Sequence, residues 1–440
     1  MITDVFFIPY KDDLQIVYAP LRHMVFTANQ MAVNGIRTYL ESDGAQCPSP
    51  AIKEQMDRLM QKPAQPIPPC PNVDDRFTRL TVLPTFQCNF HCSYCFSAGG
   101  RAKQTLSAST ICRALDFCVD RALSRHRKDT YIGFTGGGEP LMAWPTVREV
   151  LVYAQALAQQ KGIPIKSSLT TNGSLLTQDI LLPLIAFQTH LMLSFDILPD
   201  VQNRQRGHFD LVHKNLCALA AHNYPAGIRA TITPASVSRM AEMVEAVHTH
   251  YPTVNTVHLE PVTDPTLPDG FYTTFLDAFD KAQSLAQSYG LHVDYSVTLS
   301  ARHVGNRFCK GEFCLTPYGT CIICHRAATP TEPINERACF GTVHDKEGVC
   351  IDWHKAHLLL DNGAATQDRC RNCFAKYHCA GGCFFQNNTL PAPQQASLCD
   401  LYREGLRRKL QAFIEGQATA AAASGQESTG SVEDTPETCL

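Results

Sequence analysis

The chain has 440 residues, 44% of them apolar, and a formal net charge of −3. That length accommodates one large domain and one or two small ones around a real hydrophobic core. The near-neutral charge and the lack of any Lys/Arg block exclude a nucleic-acid footprint, and the longest apolar stretches, such as Ile180 to Phe187, are too short to span a membrane.

In chain order, residues 1–75 read as a small α+β unit. Short strands are expected over 5–8, 14–18 and 24–27, with helices over about 30–40 and 51–61. A linker follows, marked by Pro63, Pro66, Pro68, Pro69 and Pro71. From 78 to 305 short apolar strands (80–84, 131–134, 165–170, 191–195, 227–233 and 256–260) alternate with amphipathic helices. One helix, 146–160, carries Val147, Val150, Leu151, Ala154 and Leu157 along one face. Such alternation implies an α/β fold with a parallel sheet and right-handed crossovers. Residues 306–410 are Cys-rich and poor in periodicity, as expected of a fold organised by metal. Residues 417–440 are low in bulky apolar side chains, and a disordered tail is expected there.

The N-terminus lacks the basic start and long apolar core of a signal peptide, so a cytoplasmic protein is expected. Thiols stay reduced in that compartment, and clusters among the 20 cysteines therefore point to metal. Scattered ones such as Cys112, Cys118 and Cys217 are expected to be small core residues. Cys88, Cys92 and Cys95 form a compact C-x3-C-x2-C loop just after the strand at 80–84, with Tyr94 before the third cysteine. Three thiolates on a four-iron cubane leave one iron open to a non-protein ligand, which means chemistry. At the end of the next strand stands Phe134-Thr-Gly-Gly-Gly-Glu-Pro140. Its glycines let a ligand approach the backbone, and Glu139 offers an acceptor to an ammonium group. A phosphate loop is excluded, because no Gly-Lys-Ser/Thr follows. Thr171-Asn-Gly173 and Ser194-Phe-Asp196 close the third and fourth strands. Further on, Cys309, Cys314, Gly319 and Cys324 are followed by Cys370-x2-Cys373-x5-Cys379-x3-Cys383 and then Cys399. Paired C-x2-C motifs also build structural zinc sites, and Cys321-Ile-Ile-Cys324-His325 matches the haem-attachment pattern C-x-x-C-H. Haem attachment follows export, for which the chain shows no signal.

With these motifs the chain resembles the radical S-adenosylmethionine (radical SAM) enzymes, and its C-terminal part resembles their SPASM extension. The resemblance implies a partial (β/α)6, TIM-like barrel with the cysteine loop directly after its first strand. It implies that Gly137, Gly138 and Glu139 bind the amino group of SAM, that Asn172, Ser194 and Asp196 line its pocket, and that Arg206 meets its carboxylate. The usual glycine after Ser-x-Asp is Ile197 here. By position, one auxiliary [4Fe–4S] cluster would use Cys309, Cys314, Cys324 and Cys383, and another Cys370, Cys373, Cys379 and Cys399. With the SAM-binding cluster on Cys88, Cys92 and Cys95, that makes three. The implied reaction starts with an electron from a carrier such as flavodoxin or ferredoxin and reductive cleavage of SAM. The resulting 5′-deoxyadenosyl radical takes a hydrogen atom from the substrate. SPASM relatives act on peptide or protein side chains, so a maturase that cross-links or oxidises a ribosomal precursor peptide is expected. A sulfatase-maturing (formylglycine-generating) enzyme and a non-catalytic metal-bound scaffold are the alternatives. The layout of residues 1–75 resembles small winged-helix modules that recruit precursor peptides, although a cap packed on the barrel is an equal reading. Glu260, Arg229 and His208 could face the barrel lumen.

Overall fold

The computed structural model describes residues 4–66, 76–98, 102–309, 311–360 and 363–424, the last stretch as backbone alone beyond 417. Strands β1 (Phe6–Pro9), β2 (Leu14–Ala19) and β3 (Met24–Asn29) form an antiparallel sheet in that order. Helices α1 (Gln30–Glu41) and α2 (Pro50–Gln61) follow. Asn29 caps α1 by accepting from the Ala32 N–H, and Ser49 caps α2 by accepting from that of Ile52. Val17, Val33, Ile36, Tyr39 and Met56 give this unit its own small core. Of the linker prolines, Pro68, Pro69 and Pro71 lie outside the described residues.

The barrel is built from β4 (Arg79–Val82), α3 (Ala108–Ser124), β5 (Thr130–Phe134), α4 (Trp144–Lys161), β6 (Ile165–Thr171), α5 (Gln178–Ala186) and β7 (His190–Ser194). It continues through α6 (Pro199–Gln205), α7 (Phe209–Ala221), β8 (Ala226–Ile232), α8 (Met240–His250), β9 (Val254–Pro261), α9 (Phe271–Ser288), β10 (His292–Asp294) and α10 (Ser296–Ser300). Strands β4 to β10 pair side by side in sequence order, all parallel. The six expected strands are present, and β10 adds a seventh, three residues long, too short to show a period. Alternation explains the layering. Leu191 and Leu193 of β7 are buried under the helices, whereas Met192 and Ser194 point the other way and are only half-buried. The α4 face expected to be apolar is buried, and Gly162 ends that helix in the left-handed conformation.

The Cys-rich part is more regular than its sequence suggests. β11 (Phe313–Leu315), β12 (Thr320–Ile322), α11 (Pro333–Ala338), β13 (Cys339–His344) and β14 (Gly348–Ile351) lead to α12 (Trp353–Leu360), α13 (Lys376–Cys379), α14 (Phe384–Thr389) and α15 (Ala392–Ser424). β11 pairs parallel with β4, and β12, β13 and β14 continue antiparallel, so the barrel sheet runs on into the C-terminal part. α15 corrects the expected disorder from 417, because its helix reaches Ser424. Ala418 and the alanines that follow have the highest helix propensity of any residue, and need no packing to continue a helix already begun. The rest of the expected tail, 425–440, lies outside the described residues.

Candidate functional site

The C-terminal ends of β4 to β7 bring four loops to one face of the barrel, the usual place for a site in such folds. The cysteine loop follows β4, and hydrogen bonds to neighbouring loops fasten it. Thr85 Oγ1 donates to the Gln104 carbonyl (2.9 Å), Ser93 N–H to the Gln205 carbonyl (2.9 Å), and Asn89 Nδ2 to Ser174 Oγ (2.8 Å). Cys88, Cys92 and Cys95 are half-buried. Burial pushes the Cys92 thiol up; the neighbouring Cys95 and Cys88 add to this and the Arg206 guanidinium opposes it.

The glycine loop after β5 packs directly on the cysteine loop. The Glu139 N–H donates to the Gln87 carbonyl at 2.8 Å, and a Cβ on Gly138 would lie 2.0 Å from that same oxygen. Gly138 is therefore required by backbone packing. Glu139 is buried, and its carboxylate ties two strand ends together. Oε1 accepts from Leu141 N (3.1 Å) and Thr171 Oγ1 (2.6 Å), and Oε2 from Asn172 N (2.7 Å). Burial raises its pKa against the pull of these bonds. Most of its acceptor capacity is thus taken by protein donors, leaving one lone-pair direction on Oε2. Asn172 is engaged likewise. Its Oδ1 accepts from Ser174 N and Oγ, and its Nδ2 donates to Asn89 Oδ1 at 2.9 Å, so it joins the third loop to the cysteine loop.

After β7, Asp196 is fully buried. Its Oδ2 accepts from Tyr94 OH (2.7 Å) and Gln205 Nε2 (2.8 Å), its Oδ1 from Thr231 N (3.0 Å). Burial raises its pKa, opposed first by the Arg206 charge. Arg206 Nη1 donates to Tyr94 OH at 2.9 Å, while its Nε is buried without a hydrogen-bond partner. Burial works against the Arg206 charge, and Tyr94, Cys92 and Asp196 hold it protonated. Tyr94 is thus the hinge of a Tyr94–Asp196–Arg206 network that sequence reasoning missed as a site residue, although its place before Cys95 was the available signal. Ile197 takes φ +66°, the left-handed conformation in which the usual glycine is at ease.

Deeper in the lumen, Ser194, Arg229 and His258 share one register row across β7, β8 and β9. His258 Nε2 lies 2.8 Å from Glu260 Oε2 and 3.3 Å from Arg229 Nη2, and its Nδ1 faces the Asp294 carboxylate. Burial alone would lower the His258 pKa, but the two carboxylates raise it. Glu260, which also accepts from Ser296, is pushed up by burial yet brought down to about 2 by His258 and Arg229. His208 is held apart from this row, exposed at the N-cap of α7 and stacked on Phe90.

The eight C-terminal cysteines expected to hold clusters fall into two groups. Burial raises the Cys324 thiol, with Cys383 and Cys309 adding to the effect, and Cys314 lies within reach of Cys324. Burial likewise raises Cys379, with Cys399, Cys370 and Cys373 around it. Among the described residues no trio of thiol, imidazole or carboxylate groups stands at the spacing of a single-ion site. A cubane makes a different demand, since its thiolates surround a larger four-iron core. Sets of three, four and four thiols fit such clusters in number and kind.

The family model of the radical SAM superfamily matches residues 82–247. The chain therefore carries a radical SAM domain over these residues. It is 22% identical over 376 residues to the radical SAM cyclopropyl synthase TigE of Paramaledivibacter caminithermalis, covering 77% of this chain and 75% of that one. Its fold is similar to native anSMEcpe with bound AdoMet and Cp18Cys peptide (TM-score 0.56, 16% identity, 77% of this chain and 99% of that one). It is also similar to Streptococcus suis SuiB bound to precursor peptide SuiA (TM-score 0.52, 12% identity, 88% of this chain and 98% of that one). At these identities the two structural likenesses are ones of fold. The radical SAM domain thus spans the cysteine loop, the glycine loop and the Asp196–Arg206 network, and the family implies a [4Fe–4S] cluster and SAM. Among the described residues no helix is long and apolar enough to cross a membrane.

Proposed function

We propose that this radical SAM enzyme modifies side chains of a ribosomally made precursor peptide, by a cross-link or another oxidation. The observation that carries the reading is the gathering on one barrel face of a three-cysteine loop and a glycine loop, with two four-cysteine groups beyond. Cys88, Cys92 and Cys95 would hold the SAM-binding cluster, and the groups around Cys324 and Cys379 two auxiliary clusters fully ligated by protein. When bound, cluster and SAM supply a 5′-deoxyadenosyl radical that takes a hydrogen atom from the substrate, the electron coming from a carrier of flavodoxin or ferredoxin type. Arg206 sets its charge beside Cys92, where the SAM carboxylate would lie. Glu139 and Asn172 hold the strand-end loops in one arrangement, and the row Ser194, Arg229 and His258 lines the lumen into which the substrate side chain would enter.

The N-terminal unit supports a peptide substrate. β3 is an edge strand, and a cavity of about 250 Å³ lies beside it, lined by Phe26, Ala28, Asn29, Ile36, Ile52 and Met56. An extended leader segment could add to that edge as a further strand. The likeness to SuiB extends over more of this chain than that to anSMEcpe, 88% against 77%, which favours the precursor-peptide reading over sulfatase maturation. The test is a variant with Cys88, Cys92 and Cys95 replaced by Ala. It should lose reductant-dependent 5′-deoxyadenosine formation, keep its auxiliary iron, and serve as a non-turnover trap in an anaerobic pull-down from the native host. A short ribosomal peptide in the trap supports the proposal, a sulfatase-like protein moves it to the alternative, and undiminished SAM cleavage removes it.

A further inference from the structure

Arg326 follows Cys324 and His325 in a single 3-10 turn. Its guanidinium carbon lies 5.3 Å from the ring centre of Phe96 and 4.7 Å from that of Phe385. Phe96 directly follows Cys95 in the cysteine loop, and Phe385 lies two residues past Cys383. One cation is therefore clamped between a loop of the radical SAM domain and a loop of the first auxiliary group. The clamp overlooks the glycine loop. A Cβ on Gly136 would stand 3.8 Å from both Phe96 Cζ and His325 Cδ2, ordinary contact distance. Phe96 is 37% exposed, which places the clamp at the mouth of the barrel.

What the clamp lacks is an anion. Arg326 Nε is buried without a hydrogen-bond partner, and among the described residues no carboxylate pairs with its guanidinium. The nearby Glu312 is engaged by His325, whose Nδ1 lies 3.0 Å from its Oε2. A guanidinium has five in-plane N–H donors, and contact with aromatic rings satisfies none of them. The two rings do hold the group in place, and its unpartnered N–H edge suits a planar, two-oxygen acceptor. Arg206 differs, because its charge already faces Asp196 and the cysteine loop.

We propose that Arg326 is a carboxylate-binding residue at the barrel mouth. The carboxylate is either that of the methionyl part of SAM, shared with Arg206, or that of an acidic residue in the peptide, beside the one that reacts. The inference rests on the proposed SAM site. Its test uses the full chain with reconstituted clusters and has two arms. In one, wild type and Arg326→Gln are titrated with SAM and with decarboxylated SAM, which keeps the sulfonium and the amine. In the other, both proteins are applied to an array of acetylated, amidated octapeptides that differ only by Asp or Asn at one position. Wild type should prefer the carboxylate in one arm by about tenfold or more, the usual strength of a charge-assisted hydrogen bond. Arg326→Gln should lose that preference, and the arm in which it is lost names the source. Arg326→Lys, which keeps the charge without the fork, should retain part of it, and it takes over the test if the Gln variant does not hold its iron. A wild type without preference in either arm overturns the proposal. So does a preference that survives in Arg326→Gln, including the case where that variant only shifts an auxiliary-cluster reduction potential. A wild type that binds neither form of SAM is a separate result, since it removes the proposed function itself.

Discussion

Ile197 is a buried, β-branched residue held at φ +66°, directly after the Asp196 that anchors Tyr94 and Arg206. The left-handed conformation costs an L-residue roughly 1–2 kcal/mol, and such strain persists only where the surroundings over-determine it. Truncating a buried Ile to Ala costs about 2–5 kcal/mol, so both Ile197→Ala and Ile197→Gly should be less stable than wild type. Gly is ordinarily worse than Ala by about 0.5–1 kcal/mol, but here it relieves the strain. Ile197→Gly should therefore equal or exceed Ile197→Ala in urea unfolding, and the ordinary order would show that the position is unstrained. Gly138 gives a second prediction. Its would-be Cβ meets only backbone, Gln87 O at 2.0 Å and the carbonyl carbons of Gln87 and Phe86 at 2.7 Å, so no side chain can move aside. Gly138→Ala must part the glycine loop from the cysteine loop. On the proposed set of three four-iron clusters, total iron should then fall by about a third, and SAM cleavage should be lost while the auxiliary signals remain. Full iron with normal cleavage would mean that this close approach does not position the cysteine loop.

At the scale of elements, what the sequence discloses follows the range of the interaction. β6 and β7 are seven and five residues long, enough to carry apolar residues set among polar ones, and the sequence places them within one residue of where they stand. The same holds for the site's motifs: the cysteine spacing and the glycine run are local, and both mark loops at strand ends. β10, β11 and β12 have three residues each and no readable period; they exist because a neighbouring strand supplies the other half of the ladder. For the same reason the Arg326 clamp and the Tyr94 network are illegible in the sequence, since their partners lie tens to hundreds of residues away. The β11–β4 seam makes the dependence measurable. Phe313, Cys314 and Leu315 pair with Leu80, Thr81 and Val82, and the Phe313 ring packs on Phe77 and Phe340. A chain ended at residue 305 would bare the β4 edge and that aromatic cluster together. Exposed edges recruit other strands, so the truncated barrel should elute as aggregate in size-exclusion chromatography. A monodisperse barrel would show that β4 needs no partner on that side.

Across the whole molecule, the first and last parts of the chain share a core. Ile8, Ile16 and Tyr18 of the N-terminal sheet pack with Ala375, Leu406 and Leu410, and Cys373, Phe374 and Ile414 lie against the same cluster. Burial pushes the His378 pKa down to about 4, so its ring is neutral near pH 7. A neutral ring has one N–H. Nδ1 faces the His303 carbonyl at 2.9 Å and must carry it, so Nε2 accepts from Tyr18 OH at 2.5 Å. Lys376 reaches Asp4 at 2.5 Å from the same short helix. The contacts of Ala375, Lys376 and His378 fall between Cys373 and Cys379, in the group proposed to hold an auxiliary cluster. Cluster ligation and local folding are coupled wherever metal organises the backbone. Cys373→Ala should therefore loosen more than its own loop. Hydrogen exchange should rise across β1 and β2 as well as α13, while α3, whose buried face packs in the barrel core, exchanges as in wild type. Tyr18→Phe is the complementary variant: it removes one hydrogen bond from the seam and leaves the thiols in place, so β1 and β2 should exchange faster with iron content unchanged. If Cys373→Ala lost iron while β1 and β2 kept wild-type protection, the N-terminal unit would be docked on α15 alone, and peptide binding there would be independent of the auxiliary group. If protection falls as expected, the proposed leader-binding edge and the thiols around Cys379 form one cooperative unit, in which loss of the cluster would also impair peptide recruitment.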